Sequence, residues 1–402
     1  MSPAMSLSLN NLLSIKLIGF FMKFAGVWTS SSSMGARILK FATIFALSAN
    51  LIMVFIVLID IYYCHSNFDE IANGFLNFSI AGMSSYKLAV IIPIRERFID
   101  LISQANKNFW SITYDRNDLR VMNEFMTKCT YMVVFISFMC IMALLTYMVE
   151  PFISHTNKDG IDRKLPVNLH FSFIPISTTP WYEILFIIQF SSGFYCAICF
   201  LCFDTFLCGI NMTLVGQFTI LQTKLQAIYD HTESTMLDED NICLRFIKFV
   251  RIHQELIACA DNVRELYKNF VIGFVFFLSL LIGMELFQIM MSADLYIRLR
   301  GMLYVCNTTG QLYLFTFACN SLAEVSFEVS NAAYGVRWHS IRSDRVKKKL
   351  MAGLQIVIMR SQKPCQMMVG NFAPVTLKTF TSICNTAFSC LTLMRTSIQR
   401  EN

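Results

Sequence analysis

The chain has 402 residues, of which 55% are hydrophobic and only 15% charged, with a formal charge of +6. Soluble domains carry about 25% charged residues, so this composition excludes an ordinary soluble protein and indicates a polytopic membrane protein. The positive charge does not indicate nucleic acid, because the basic residues border apolar runs and form no soluble basic face.

Residues 7–27 are apolar but interrupted by Lys16 and Lys23. A signal peptide would need a continuous apolar stretch, with residues 29–36 as its cleavable tail. The interruptions favour a helix lying on the cytoplasmic leaflet. Seven runs long enough to cross hydrocarbon follow, at 38–62, 71–94, 130–149, 184–215, 270–291, 302–325 and 373–394. The fourth is longer than a bilayer requires and should project or tilt. Together these predict an all-α protein with a cytoplasmic N-terminal part (1–37) and six spans with long inner extensions (38–325). A cytoplasmic helix and turn (326–372) and a last span (373–402) complete it.

The distribution of Lys and Arg sets the orientation. Twenty-four of them fall in the N-terminal, second-to-third, fourth-to-fifth and sixth-to-seventh segments, against seven in the alternate ones. Positive charge stays inside, so the N-terminus is expected in the cytoplasm and the C-terminus outside, the reverse of a G-protein-coupled receptor. The outer segment 150–183, with Pro166, Pro175 and Pro180, is long enough to cap an external cavity. In the inner segment 216–268, Phe246, Phe249, Val250, His253 and Ile257 share one helical face, which predicts a helical bundle below the membrane. The apolar stretch 351–359 is too short to cross and belongs to a cytoplasmic helix.

Charged residues inside the runs are few. Lys87 lies close enough to the inner end of its span to snorkel, and Asp60, Asp204, Glu285 and Lys378 lie near boundaries. Cys196, Cys199 and Cys202 sit within one apolar run without His or carboxylate, so helix packing explains them better than metal. The sequons at Asn77, Asn211 and Asn307 fall within spans and should not be glycosylated. No His, Glu or Asp cluster has triad or ligand spacing, so nothing suggests an enzyme or a bound cofactor. The inverted repeats of a secondary transporter are not visible either.

The last run carries Thr386, Ser389, Cys390 and Leu393 at i, i+3, i+4 and i+7, one helical stripe. Two readings stand. The stripe lines a water path closed by a Leu393 ring, or the hydroxyls bond their own i−4 carbonyls within a packed bundle. No Asp or Glu lies on this helix, so a pore there would discriminate poorly among cations. Arg342, Arg345, Lys347, Lys348 and Lys349 likewise fit inner-leaflet lipid, subunit contacts, or a solvated inside face. Tyr334 and Trp338 are spaced to pack one helical turn apart.

Four stretches resemble the insect odorant receptors. His253-Gln-Glu-Leu-Ile257 followed by Glu265-Leu-Tyr resembles the family's segment before the fifth span. Ser330, Ala333, Tyr334 and Trp338 resemble its S-x2-A-Y-x3-W pattern. Arg360, Gln362 and Pro364 resemble its R-x-Q-x-P turn, and Phe388-Ser389 its aromatic-Ser pair, where Tyr is more usual than Phe388. The gustatory-type ending T-Y-x5-Q-F is absent, and the short fourth-to-fifth segment is unlike the co-receptor's.

The resemblance implies an odorant-gated, non-selective cation channel at the plasma membrane of sensory neurons. This chain would be the ligand-tuning subunit of a heterotetramer with a co-receptor. It implies that residues 326–372 anchor subunits together, with His253, Tyr334, Trp338, Arg360, Gln362 and Pro364 taking part, and that Leu393 stands at the gate. It places the ligand pocket in the outer halves of spans two, three, four and six. The residues there are Phe75, Phe78, Met142, Tyr147, Phe186, Phe190, Phe194, Tyr304 and Thr308, a wall suited to a small apolar volatile.

Overall fold

A backbone in hydrocarbon must satisfy its own N–H and C=O groups, which makes helices of the apolar runs. The computed structural model describes residues 13–26, 33–63, 68–155, 165–167, 169, 178–227, 238–292, 294–338, 343–370 and 372–401. Its helices are α1 (Leu13–Phe24), α2 (Ser33–Tyr63), α3 (Phe68–Ile91), α4 (Arg95–Ala105) and α5 (Arg116–His155). After these come α6 (Trp181–Gln226), α7 (Asp238–Met291), α8 (Leu295–Tyr334), α9 (Asp344–Ser361) and α10 (Leu377–Glu401). Pro93 sits in a 3-10 turn that separates α3 from α4.

Among the described residues, five stretches are long and apolar enough to cross a membrane: Thr43–Tyr63, Glu70–Trp110, Arg116–Val149, Trp181–Gln226 and Ile242–Met291. α8 and α10 carry more polar side chains and complete the seven long helices. At about 1.5 Å per residue, the 46 residues of α6 and 54 of α7 extend roughly 70 and 80 Å. Hydrocarbon takes only about 30 Å of that, so both helices run well beyond the bilayer.

α6 is the central post. It packs against α1, α2, α3, α5, α7 and α8, and its residues from Ile198 to Gly216 are buried all round. Phe203 and Phe206 surround Phe98 of α4, which also meets Tyr267 of α7. The Tyr267 hydroxyl donates to the Phe203 carbonyl at 3.0 Å. Cys196, Cys199 and Cys202 are buried thiols in this post. Among the described residues no group of His, Cys, Asp and Glu is placed to hold a metal ion.

One expectation is corrected by the burial of Lys87. Lys87 does not snorkel: it is 1% exposed and pairs with Asp204 of α6, because α6 brings a carboxylate within reach of Nζ. The N-terminal helix α1 packs one face against the bundle. Ile15, Ile18 and Met22 are buried, with Ile18 seated over Gly209 of α6, while Leu13, Phe20 and Phe24 stay exposed.

At the far end of α6, α7 and α8 a smaller bundle forms, in which α9 packs chiefly on α8 and also on α7. Phe246, Phe249, His253 and Ile257 are buried on one face of α7. His253 stacks on Phe249 and meets Phe218 edge-on. Gly353 lets α9 approach Phe246, whose ring occupies the place of a Cβ. α9 ends at Ser361, where the Arg360 guanidinium donates to the Lys363 carbonyl. Gln362 is exposed and Pro364 half-buried.

A two-residue hairpin, Met368–Val369 against Ala373–Pro374, then leads into α10. Gly370 turns it with φ of +58°, a conformation that favours glycine. The last helix therefore starts at Leu377 and not at 373. The Tyr334–Trp338 pair is not one turn of a helix either. α8 stops at Tyr334, capped by the poor helix former Gly335, and leaves Tyr334 83% exposed. Trp338 is half-buried with the Lys347 ammonium over its ring.

Candidate functional site

Opposite the α9 end, the helices diverge around a cavity of about 500 Å³ walled by α2, α3, α5, α6, α7 and α8. Its apolar part includes Met53, Val57, Leu76 and Ala81, with Leu144 and Phe200 on the facing side. Pro166 and Val167 of the long segment between α5 and α6 cover it. A two-way hydrogen bond holds that cover. The Val167 N–H donates to Gln189 Oε1 at 2.9 Å, and Gln189 Nε2 donates to the Val167 carbonyl at 3.1 Å. Gln189 is fully buried, and the Tyr147 hydroxyl donates to its carbonyl at 3.4 Å.

The wall also carries polar groups. Asp60, Glu70, Asn73 and Asn77 line the cavity together with Glu285, Gln288, Arg300, Asn307 and Thr308. Glu285 is 3% exposed. The Thr308 hydroxyl lies 2.8 Å from Glu285 Oε1 and 2.8 Å from the Tyr304 carbonyl, and its one proton serves one acceptor at a time. Glu285 Oε2, Gln288 Oε1 and Asn307 Oδ1 are buried and accept no hydrogen bond from a described residue. Gln288 Nε2 donates to Asn73 Oδ1, tying α7 to α3 at the rim.

Of the pocket residues read from the sequence, Tyr147, Tyr304 and Thr308 line this cavity. Phe75, Phe78, Met142, Phe186, Phe190 and Phe194 do not. Phe75, Phe190 and Phe194 are exposed on the outside of the bundle. Phe186 stacks between Tyr182 and Phe190 along the outer face of α6. Phe78 packs beside Met53, Val57, Ala81 and Val167 behind the wall. The cause is physical: lipid and protein core are equally apolar, so an apolar residue at the right depth carries no signal of which way it faces. The residues missed, chiefly Asp60, Glu285, Gln288 and Asn307, did carry one, because a polar group inside a span needs somewhere other than lipid to go.

A second surface belongs to α10. Phe380, Ile383 and Ala387 form the side turned to the bundle, with the Phe380 ring against Tyr313 of α8. Asn385, Thr386, Phe388 and Ser389 are exposed. Thr386 donates to the Ser382 carbonyl at 2.9 Å and Ser389 to that of Asn385 at 2.8 Å. Within one chain Thr386 and Ser389 therefore do bond their own i−4 carbonyls, on a face that the other described residues leave uncovered. The side chains of Cys390 and Leu393 lie outside the described residues, although the α10 backbone runs through both.

Comparisons with known proteins bear on the family and the fold. The family model described as 7tm Odorant receptor matches residues 67–388. Odorant receptor 10 of Aedes albopictus is 28% identical over 242 residues, covering 58% of this chain and 60% of that protein. Odorant receptor Or2 of Anopheles gambiae is 24% identical, covering 58% and 61%. The matched region thus spans less than two thirds of these relatives' length. Among solved structures, the insect olfactory receptor OR5 from Machilis hrabei, in complex with eugenol, superposes with a TM-score of 0.80. It is 14% identical and the match covers 95% of this chain and 97% of that one. Without ligand the same receptor gives 0.78. The fold is therefore the seven-helix, all-α fold of that receptor.

Proposed function

The chain belongs to the 7tm odorant receptor family, and on that premise we propose that it is the ligand-binding subunit of an odorant-gated, non-selective cation channel. It works in a heteromeric, tetrameric assembly with an odorant co-receptor at the plasma membrane. The N-terminus is cytoplasmic and the C-terminus extracellular, as the Lys and Arg distribution requires. The cavity then opens toward the outer half of the bilayer, and the α9 bundle is the cytoplasmic anchor.

The observation that carries this reading is the pairing of a roofed cavity with an α10 whose polar face the chain itself does not cover. The two are linked through α8. Thr308 is at the cavity, and Tyr313, five residues on, touches Phe380 of α10. A small molecule that fits the cavity better when α7 and α8 have shifted biases the subunit toward that arrangement and carries α10 with it. In this reading Thr386, Ser389, Cys390 and Leu393 face a shared axis, with Leu393 as a hydrophobic ring that closes by dewetting.

The test is heterologous expression with and without an insect co-receptor, recording current against an odorant panel. Odorant-evoked cation current that requires the co-receptor supports the proposal. The absence of evoked current in both conditions overturns it. An epitope tag at the C-terminus checks the orientation: staining only after permeabilisation contradicts it and returns a G-protein-coupled arrangement to contention. Leu393→Ala should give a graded change in resting or evoked current, and an unaltered response counts against the gate.

A further inference from the structure

We propose that the cavity selects ligands with a hydrogen-bond donor, an alcohol or an amine on a small apolar body, over matched ligands that only accept. This rests on the cavity being the ligand site, as argued above, and goes further by naming the ligand chemistry.

Three buried acceptors converge on the polar end. Glu285 Oε2, Gln288 Oε1 and Asn307 Oδ1 find no donor among the described residues. Glu285 and Gln288 stand one turn apart on α7, so one head group can reach both. The hydroxyl beside them does not relieve the shortage. Thr308 has one proton, and the Tyr304 carbonyl competes for it at the same 2.8 Å as Glu285 Oε1. A buried acceptor left unmatched costs free energy that a ligand donor removes on binding. A ketone, ester or ether brings another acceptor to Gln288 Oε1 and Asn307 Oδ1, which accept whatever the state of the Glu285 carboxyl, and removes none of that cost.

Formal charge points the same way. The lining holds the carboxyl groups of Asp60, Glu70 and Glu285 against one basic residue, Arg300. This disfavours carboxylic acid ligands and tolerates a protonated amine. The opposite side supplies the complement for a hydrocarbon body, in Met53, Val57, Leu76 and Ala81. Arg300 keeps its own protein contacts.

The experiment measures ligand binding to the purified, detergent-solubilised protein by thermal shift titration, alongside current from the co-expressed channel. The panel uses linear and cyclic C5–C8 skeletons, each with a hydroxyl, a primary amine, a ketone, a carboxylate and no head group. Within each skeleton, the alcohol or the amine should bind about tenfold or more tightly than the ketone, and the carboxylate should be weakest. The alcohol and amine arms separate a neutral donor from a cationic one.

Glu285→Leu should collapse the alcohol-to-ketone ratio toward one while leaving the unfunctionalised skeleton's affinity in place. Asn307→Ala should lower the same ratio and serves if Glu285→Leu does not fold. Ketones that bind as tightly as the alcohols in the wild type overturn the inference. So does a ratio that neither substitution changes. Donor-selective binding without any evoked current would instead sink the channel reading and leave the ligand class standing.

Discussion

Lys87 of α3 reaches both carboxylate oxygens of Asp204 at 3.1 Å in the middle of the bundle, where each side chain is at most 2% exposed. The rings of Phe200, Phe270 and Phe274 close around the ammonium at 4.8–5.3 Å. Phe200 also lines the cavity, so the pair sits one side chain beneath its floor. Removing one member of a buried pair strands the other charge, at a cost of about 3–5 kcal/mol. Lys87→Met and Asp204→Leu should therefore each lower thermal stability and surface expression sharply. The double variant should recover a large part of the loss. Two single variants that match the wild type in both measurements would show that the pair contributes nothing.

Packing between α3 and α7 depends on Gly273. The Tyr86 ring lies where a Cβ at that position would be, and the Tyr86 hydroxyl is bonded to the Asn269 carbonyl, so the ring cannot simply turn aside. Overpacking of this kind costs about 1–3 kcal/mol. Gly273→Ala should lower the unfolding temperature of the purified protein, and Gly273→Val more so. Gly283 is the control, because nothing lies within 4 Å of a Cβ there. Equal effects at 273 and 283 would refute the close-approach explanation.

Gln189 latches the cavity cover to α6 by two hydrogen bonds to Val167. In Gln189→Leu the Val167 N–H and C=O lose both partners, and opening the cover becomes easier. Bound ligand should leave faster, read as a current that decays several-fold sooner after washout. Unchanged decay in a variant that still responds would mean that the cover is not the exit.

Cys365 is buried just after α9, with its N–H donating to Ser326 Oγ at 2.9 Å. Burial pushes its thiol from 9.0 up to about 11. The folded state favours the neutral thiol, so this contribution to stability is complete below pH 9 and is lost as pH rises through 11. Thiolate is the reactive form. Maleimide labelling at Cys365, followed by peptide mapping at pH 8, should be much slower in the folded protein than after unfolding. Equal rates would place the thiol in contact with solvent.

Much of the architecture was legible because membrane helices announce themselves by length. The face of α7 carrying Phe246, Phe249, His253 and Ile257 was legible for a different reason. Outside the bilayer, the ordinary contrast between apolar and polar sides returns. Within the bilayer that contrast disappears, and Phe190 and Phe194 read no differently from Phe200, which does line the cavity. Polar residues keep their meaning there: Tyr147, Tyr304 and Thr308 line the cavity, as do Asp60 and Glu285, which looked from the sequence like boundary charges. The Lys87–Asp204 pair was hidden because its partners are 117 residues apart. Nothing local in either helix says that they meet.

The hydroxyls of α10 fold back on their own helix, and that gives a lone subunit a way to wait. A serine facing hydrocarbon with an open donor would leave a polar group unsatisfied. Ser389 and Thr386, closed on the carbonyls behind them, are nearly neutral guests of the lipid. In the proposed assembly, where neighbouring subunits would replace lipid with water, the same oxygens would rotate outward and offer ions a solvated wall. The newly made chain can thus reside in a bilayer unassembled, and become polar on that side only in company.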